Sequence, residues 1–309
     1  MYFPNRIKFK LSSRFILNTK PFSTRTKRTV ADTSDVKLQS SLVESSIPGV
    51  SKYLVYLHGL FGNSNNWRSI SYSEAIRGLR RSLLIDLRNH GESDHHISMT
   101  YSEMADDVIR HMDQLKIDKF TLLGHSMGGK VAMNLSIRHP DRLEGLIIVD
   151  SAPKDHKDNK NIYGGTKDIV QRVSEYNVEG KTRKEVLQDL KSIFNGTVAN
   201  LLNTNLIYTA PDSDKVRWRC NLTGIKDNID LIIGYEHLHN KFYEGPTKVI
   251  LGEKSFIFPL DIYRSILPKL NEEDVEIVQG AGKNNNNIIL NIRSLGSCGS
   301  AKTSSGKYF

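Results

Sequence analysis

Short apolar runs punctuate this chain at the spacing of a layered α/β domain. Tyr53 to Leu57 (YLVYL), Ser82 to Ile85 (SLLI), Phe120 to Leu123 (FTLL) and Leu146 to Val149 (LIIV) are continuous rather than alternating. That is the pattern of strands buried on both faces. Between them, Trp67 to Gly78, Tyr101 to Leu115 and Met127 to Arg138 carry apolar residues at helical spacing. Strand–helix alternation predicts a mostly parallel, doubly wound sheet. Lys248 to Leu251 and Val275 to Val278 predict two later strands. The intervening stretch, about 151–245, is polar and lacks strand-like runs, with helical patterns over Thr182 to Phe194 and Asn228 to His237. It reads as a helical cap inserted over the carboxyl edge of the sheet.

The net charge of +9 changes this picture only at one end. Residues 1–30 contain Arg6, Lys8, Lys10, Arg14, Lys20, Arg25, Lys27 and Arg28 and no acidic residue, so the basic excess belongs to a leader and not to a binding face. Nothing in this distribution calls for a nucleic-acid partner. The leader is also rich in Ser and Thr, and Arg6, Lys10 and Arg14 recur at helical spacing beside Ile7, Leu11 and Phe15. These are the properties of a mitochondrial presequence, whereas a secretory signal needs an unbroken apolar stretch. No segment approaches the roughly 20 apolar residues of a membrane span. Cys220 and Cys298 have neither metal-ligand spacing nor the number for a disulfide framework.

The candidate chemistry starts at Gly124-His125-Ser126-Met127-Gly128, directly after one predicted strand and at the head of a predicted helix. In that context G-x-S-x-G is a nucleophile elbow, with Ser126 raised above the sheet at a helix N-terminus. Acyl transfer also needs two preorganised donors for the oxyanion. The Met127 N–H is one, and the Leu60 N–H, within His58-Gly59-Leu60-Phe61-Gly62 after the first predicted strand, is the other. His58 reads as a structural hydrogen-bonding residue of that loop, and His125 as part of the elbow's packing. For the acid, the turn after the Lys248 strand reads Gly252-Glu253-Lys254-Ser255, without Asp. Asp150, at the end of the strand after the nucleophile's, is the first choice and Glu253 the second. Asp150 as a carboxylate that anchors the cap is the competing reading.

These motifs, with Asp86-x-Arg88-Asn89-His90-Gly91-x-Ser93 and Val149-Asp150-x-x-Pro153, resemble the mitochondrial α/β-hydrolase family of abhydrolase-domain esterases and yeast ethanol acetyltransferases. The resemblance spans about residues 40–282 and is strongest before 155. It implies an α/β-hydrolase fold and a serine acyl-enzyme on short acyl groups, and it places the acid at Asp150. In the yeast members it implies acetyl transfer from acetyl-CoA to ethanol, with ester and thioester hydrolysis as side reactions. No metal or redox cofactor follows from it, and acetyl-CoA enters as a substrate. Short-chain ester hydrolysis is the alternative within the family, and a non-catalytic acyl- or partner-binding relative is the alternative outside catalysis.

The family pattern breaks where it needs its base. The triad order Ser, acid, His requires a histidine after the last strand. Here Gly280-Ala281-Gly282 leads into Lys283 and four asparagines, and the ten histidines (58, 90, 95, 96, 111, 125, 139, 156, 237 and 239) all precede residue 240. His237 and His239 in the cap are candidates to swing over the site, against an ordinary surface placement. Residues 283–309 carry no acid and end in a Gly/Ser-rich stretch. So abrupt a change after a full match reads as out-of-frame or unspliced translation, and the expected domain is 31–282. The leader yields the first prediction. Residues 1–30 fused to a fluorescent reporter enter mitochondria and are cleaved near Phe22 and Ser23; a diffuse cytosolic signal with the leader intact contradicts it.

Overall fold

The computed structural model describes residues 36–155, 160–255 and 259–281. The expected presequence, 1–30, and the tail, 283–309, lie outside the described residues. In chain order come β1 (Gln39–Val43), β2 (Tyr53–Leu57), a 3-10 turn (Ser64–Trp67), α1 (Arg68–Ser71), α2 (Glu74–Arg77) and β3 (Arg81–Asp86). They are followed by α3 (Tyr101–Gln114), β4 (Phe120–His125), α4 (Met127–Arg138) and β5 (Leu143–Val149). Next are α5 (Lys160–Glu175), α6 (Arg183–Ile193), α7 (Gly196–Asn203), β6 (Leu206–Tyr208), β7 (Val216–Trp218), α8 (Leu222–Asp227) and α9 (Ile229–Ile233). The described part closes with β8 (Thr247–Gly252), α10 (Leu260–Arg264) and β9 (Val275–Val278).

Seven strands form one sheet in the order β1-β3-β2-β4-β5-β8-β9, parallel throughout except for β1, which runs antiparallel to β3. The six expected strands are all present. Strands β2 and β4 are adjacent, with Leu57 opposite Gly124. The chain leaves β2 toward β3 on one side, and leaves β4 toward β5 on the other. Their carboxyl ends therefore flank a crevice at a topological switch point, where open α/β sheets bind ligands.

Three sequence expectations need correction. Strand β1 was not anticipated: its pattern QSSLV buries only Val43, so no apolar run marks it. The expected helix from Trp67 to Gly78 is broken. The Ser71 and Ser73 hydroxyls bond the Arg68 and Ile70 carbonyls, and Ser73 adopts an extended conformation between α1 and α2. The cap is not wholly helical, since β6 and β7 pair as a short antiparallel hairpin. Its last expected helix also stops early, at Ile233, because the buried Lys130 ammonium takes the Ile233 and Gly234 carbonyls at 2.8 and 2.6 Å.

The segment Asp86 to Ser93 is scaffolding that joins the sheet, the cap and the loop after β2. The Asp86 carboxylate accepts the Ser64 and Glu92 N–H groups at 2.6 and 2.9 Å. Gly91 (φ 55) must lack a side chain, because a Cβ there would lie 2.1 Å from that carboxylate. Arg88, fully buried, grips both oxygens of Asp107 at 2.6 and 2.9 Å and the Ser98 carbonyl at 3.0 Å. Asn89 (φ 65) binds the cap, its Oδ1 accepting from Asn221 Nδ2 at 3.0 Å and its carbonyl from the Asn221 N–H at 2.9 Å. His90 donates through Nδ1 to the Arg88 carbonyl and accepts the Phe61 N–H at Nε2, 3.2 Å. His58 packs on His90, ring centroids 5.0 Å apart, donates to the Gly59 carbonyl and accepts the Leu87 N–H. This is the structural role expected for His58.

Burial holds both rings neutral, lowering His58 and pushing His90 down to about 3. The unfolded chain then binds more protons below an ordinary histidine value of about 6.5, so stability present above that pH is lost as pH falls toward 3. The wild-type chain is expected to lose stability over this window more steeply than His90→Gln; parallel urea-unfolding profiles against pH contradict this. Asp107→Ala strands a buried guanidinium and is expected to cost about 3–5 kcal/mol. A melting temperature within error of wild type contradicts that.

Candidate active site

Ser126 follows β4 and opens α4 with φ 52 and ψ −115, a conformation that side chains rarely adopt. Three glycines make the turn possible. A Cβ on Gly124 would lie 2.2 Å from the Gly128 oxygen, one on Gly128 would lie 2.6 Å from the Leu57 and His58 oxygens, and one on Gly129 would meet the Ser151 Cβ at 2.6 Å. The backbone is held from both neighbours. The Ser126 N–H donates to the Val149 carbonyl at 3.0 Å, and the Ser126 carbonyl accepts the Ser151 hydroxyl at 2.8 Å. The side chain is half-buried, at the helix N-terminus where negative charge is favoured.

The loop after β2 lies against this elbow. A Cβ on Gly59 would be 3.2 Å from the Ser126 Cβ, a tight contact that sets the loop backbone close against the elbow. The Gly62 N–H bonds the Gly59 carbonyl at 2.9 Å, closing a four-residue turn with Leu60 and Phe61 at its centre. Phe61 takes φ 58, a position that ordinarily favours glycine. Neither the Leu60 N–H nor the Met127 N–H has a hydrogen-bond partner among the described residues. Both amides that the sequence marks as oxyanion donors are thus open among the described residues.

Asp150 ends β5 with φ 48 and is buried, 2 % exposed. Its N–H bonds the Ile250 carbonyl at 2.8 Å, and its Oδ2 accepts the Ser255 hydroxyl at 2.9 Å. Tyr263 donates to the Ser151 carbonyl at 2.9 Å, and burial together with the Asp150 charge raises its phenol. Glu253, the second choice of acid, is exposed, with its carboxylate accepting the Gly280 N–H at 2.8 Å in the loop after β9. The sequence did not disclose Ser255 or Tyr263 as companions of Asp150, because a hydroxyl has no motif of its own.

Among the described residues the Asp150 carboxylate takes its hydrogen bond from the Ser255 hydroxyl, and the contacts of the histidines lie on other groups. His95 bonds the Arg219 carbonyl, His96 accepts the Ser98 N–H, and His111 bonds Ser40. His139 lies 3.5 Å from Asp106, and His125 stands edge-on to Trp67 at 6.4 Å. His237 and His239 are exposed, His237 edge-on to Tyr235 at 4.9 Å. His156 and the family position after Gly282 lie outside the described residues. Among the described residues no group of His, Cys, Asp or Glu could hold a metal ion, and no helix is long and apolar enough to cross a membrane.

Several known proteins are similar to this chain. The sn-1-specific diacylglycerol lipase ABHD11 of Danio rerio is 33% identical over 235 residues, 75% of this chain and 73% of its own. Ethanol acetyltransferase 1 of Kluyveromyces marxianus is 28% identical over 155 residues, only 48% of this chain and 43% of its own. Among solved structures, a marine microorganism esterase superposes with a TM-score of 0.73 at 28% identity, covering 85% of this chain and 97% of its own. The alpha/beta hydrolase fold family matches residues 52–286, and with this topology the chain belongs to that family, among its esterases and lipases.

Proposed function

We propose that the chain is a serine hydrolase of carboxylic esters working through an acyl-Ser126 intermediate. The observation that carries this reading is the strained Ser126 turn at the switch point, with the open Leu60 and Met127 amides beside it. The Ser126 hydroxyl adds to the ester carbonyl, the two N–H groups take the developing oxyanion, and the hydroxyl proton passes to the departing alkoxide, which leaves as the alcohol. Water then cleaves the acyl-enzyme, releasing the carboxylic acid and returning a proton to Ser126 Oγ. Asp150 is the acid of the site, able to orient a neutral base between itself and Ser126 and to stabilise the cation formed when that base takes the proton. The lipase and esterase relatives, matched over most of their length, favour hydrolysis over the acetyl transfer expected first from the sequence. Transfer to ethanol with acetyl-CoA as donor is the second reading, supported by the partial match to the Kluyveromyces enzyme. The acid-free leader supports a mitochondrial location for either reaction.

The family position for the base carries Lys283, so turnover is slow in this reading. Loss of a triad base costs on the order of 10⁴–10⁶ in kcat, while binding and the oxyanion donors retain some rate. With p-nitrophenyl acetate, residues 31–309 are expected to accumulate acetyl on Ser126, detectable by peptide mass spectrometry and absent in Ser126→Ala. With acetyl-CoA and ethanol, acetate is expected to exceed ethyl acetate. No acetyl on Ser126 contradicts the hydrolase reading, and an excess of ethyl acetate establishes transfer instead. Rapid turnover abolished by His237→Ala assigns the base to the cap.

A further inference from the structure

The loop that carries Leu60 is held from two sides, and one of them is the cap. Phe61 sits at φ 58 in the glycine-preferring position of its turn. Its N–H is taken by His90 from the sheet side, and its carbonyl accepts the side-chain amide of Asn205 at 2.6 Å. Asn205 lies 144 residues away, between α7 and β6, and is fully buried. Its own backbone is anchored on both sides, the N–H to the Leu202 carbonyl and the carbonyl to the Arg219 N–H.

The orientation of that amide follows from its neighbours. Nδ2 faces two carbonyls, Phe61 at 2.6 Å and Leu201 at 3.4 Å, so the reverse orientation would set oxygen against oxygen. Oδ1 is buried without a partner among the described residues. A leucine at this position would spare that acceptor but leave the Phe61 carbonyl without its donor, so the amide is kept for the hydrogen bond it gives. What the amide adds is a donor that fixes the Phe61 peptide, one residue beyond Leu60, the oxyanion donor of the proposed hydrolase.

We infer that Asn205 is a positioning residue by which the cap sets the oxyanion loop, holding the Phe61 carbonyl so that the Leu60 N–H stays aimed at the oxyanion. The cap is fixed to the sheet domain elsewhere, through Asn221 on Asn89 and Lys130 on the end of α9. The position of the cap is therefore passed to the loop through Asn205. This inference rests on the hydrolase reading, in which Leu60 serves the oxyanion.

Two variants test it in the full chain. Asn205→Asp keeps the shape and turns a donor into an acceptor, while Asn205→Leu removes both the donor and the orphaned acceptor. Acetylation of Ser126 by p-nitrophenyl acetate is followed by peptide mass spectrometry across ester concentrations, and backbone hydrogen exchange is read for residues 57–66 and for α4. Both variants are expected to lower the limiting acylation rate about 10–100-fold, a misplaced donor falling at or below the cost of losing one. The half-saturating ester concentration stays within about twofold, because ester binding does not draw on the oxyanion donor. Exchange at 57–66 rises while α4 is unchanged, which shows that each variant is still folded. Unchanged acylation, or unchanged exchange at 57–66 in both variants, overturns the inference. If the unchanged chain gives no acetyl-Ser126, the hydrolase reading falls, and the exchange comparison alone then upholds or removes the hold of Asn205 on the loop.

Discussion

The turn at Ser126 is the constraint to which the rest of the site is fitted. A serine at φ 52 and ψ −115 costs on the order of 1–3 kcal/mol and persists only where its surroundings over-determine it. Here they do so through close backbone approach. Gly128 lies against the Leu57 and His58 carbonyls, Gly129 against Ser151, and Gly59 against Ser126 itself. Two of these approaches tie the elbow, which follows β4, to the end of β2 and the third ties it to the end of β5, so β2, β4 and β5 must end level with one another. The in-register pairings of Leu57 with Gly124 and of His125 with Val149 meet that requirement. Phe61, Asn89 and Asp150 also take positive φ, which gathers backbone strain in the loops at these carboxyl ends.

The loops are kept in place by groups that never meet a substrate. Asp86 ties the chain back through Ser64 and Glu92, Arg88 locks onto Asp107, and His90 and Asn89 reach the β2 loop and the cap respectively. Neutral histidines suit this work because a buried imidazole both donates and accepts, and burial of His58 and His90 keeps them neutral. The buried polar segment between β3 and α3 is thus as much a part of the site as the elbow. It transmits the geometry of a rigid sheet to the loop that carries the open Leu60 amide.

Much of this was legible in the sequence wherever burial is two-sided. The parallel strands read as continuous apolar runs because helices cover both faces. The elbow read clearly because its glycines and its strand–helix setting occur together. What escaped notice has equally physical causes. Strand β1 lies at an edge and shows apolar character only at Val43. Serine hydroxyls broke the helix after Trp67 by bonding their own backbone. The β6–β7 hairpin has three residues per strand, too short to establish a period. Asn205 could not be singled out, since its partner is 144 residues distant and an isolated asparagine carries no pattern. Choosing Asp150 over Glu253 depended on adjacency of strands, and the sheet order places β5 beside β4.

In the proposed hydrolase, the Leu60 and Met127 N–H groups form a donor pair toward an oxygen bound at Ser126. A crystal structure of the chain treated with an alkyl fluorophosphonate tests this most directly. The account predicts a phosphonyl group on Ser126 Oγ, with its free oxygen about 2.7–3.1 Å from both the Leu60 and Met127 nitrogens. A phosphonate on another residue, or on Ser126 with its oxygen turned away from both amides, contradicts it.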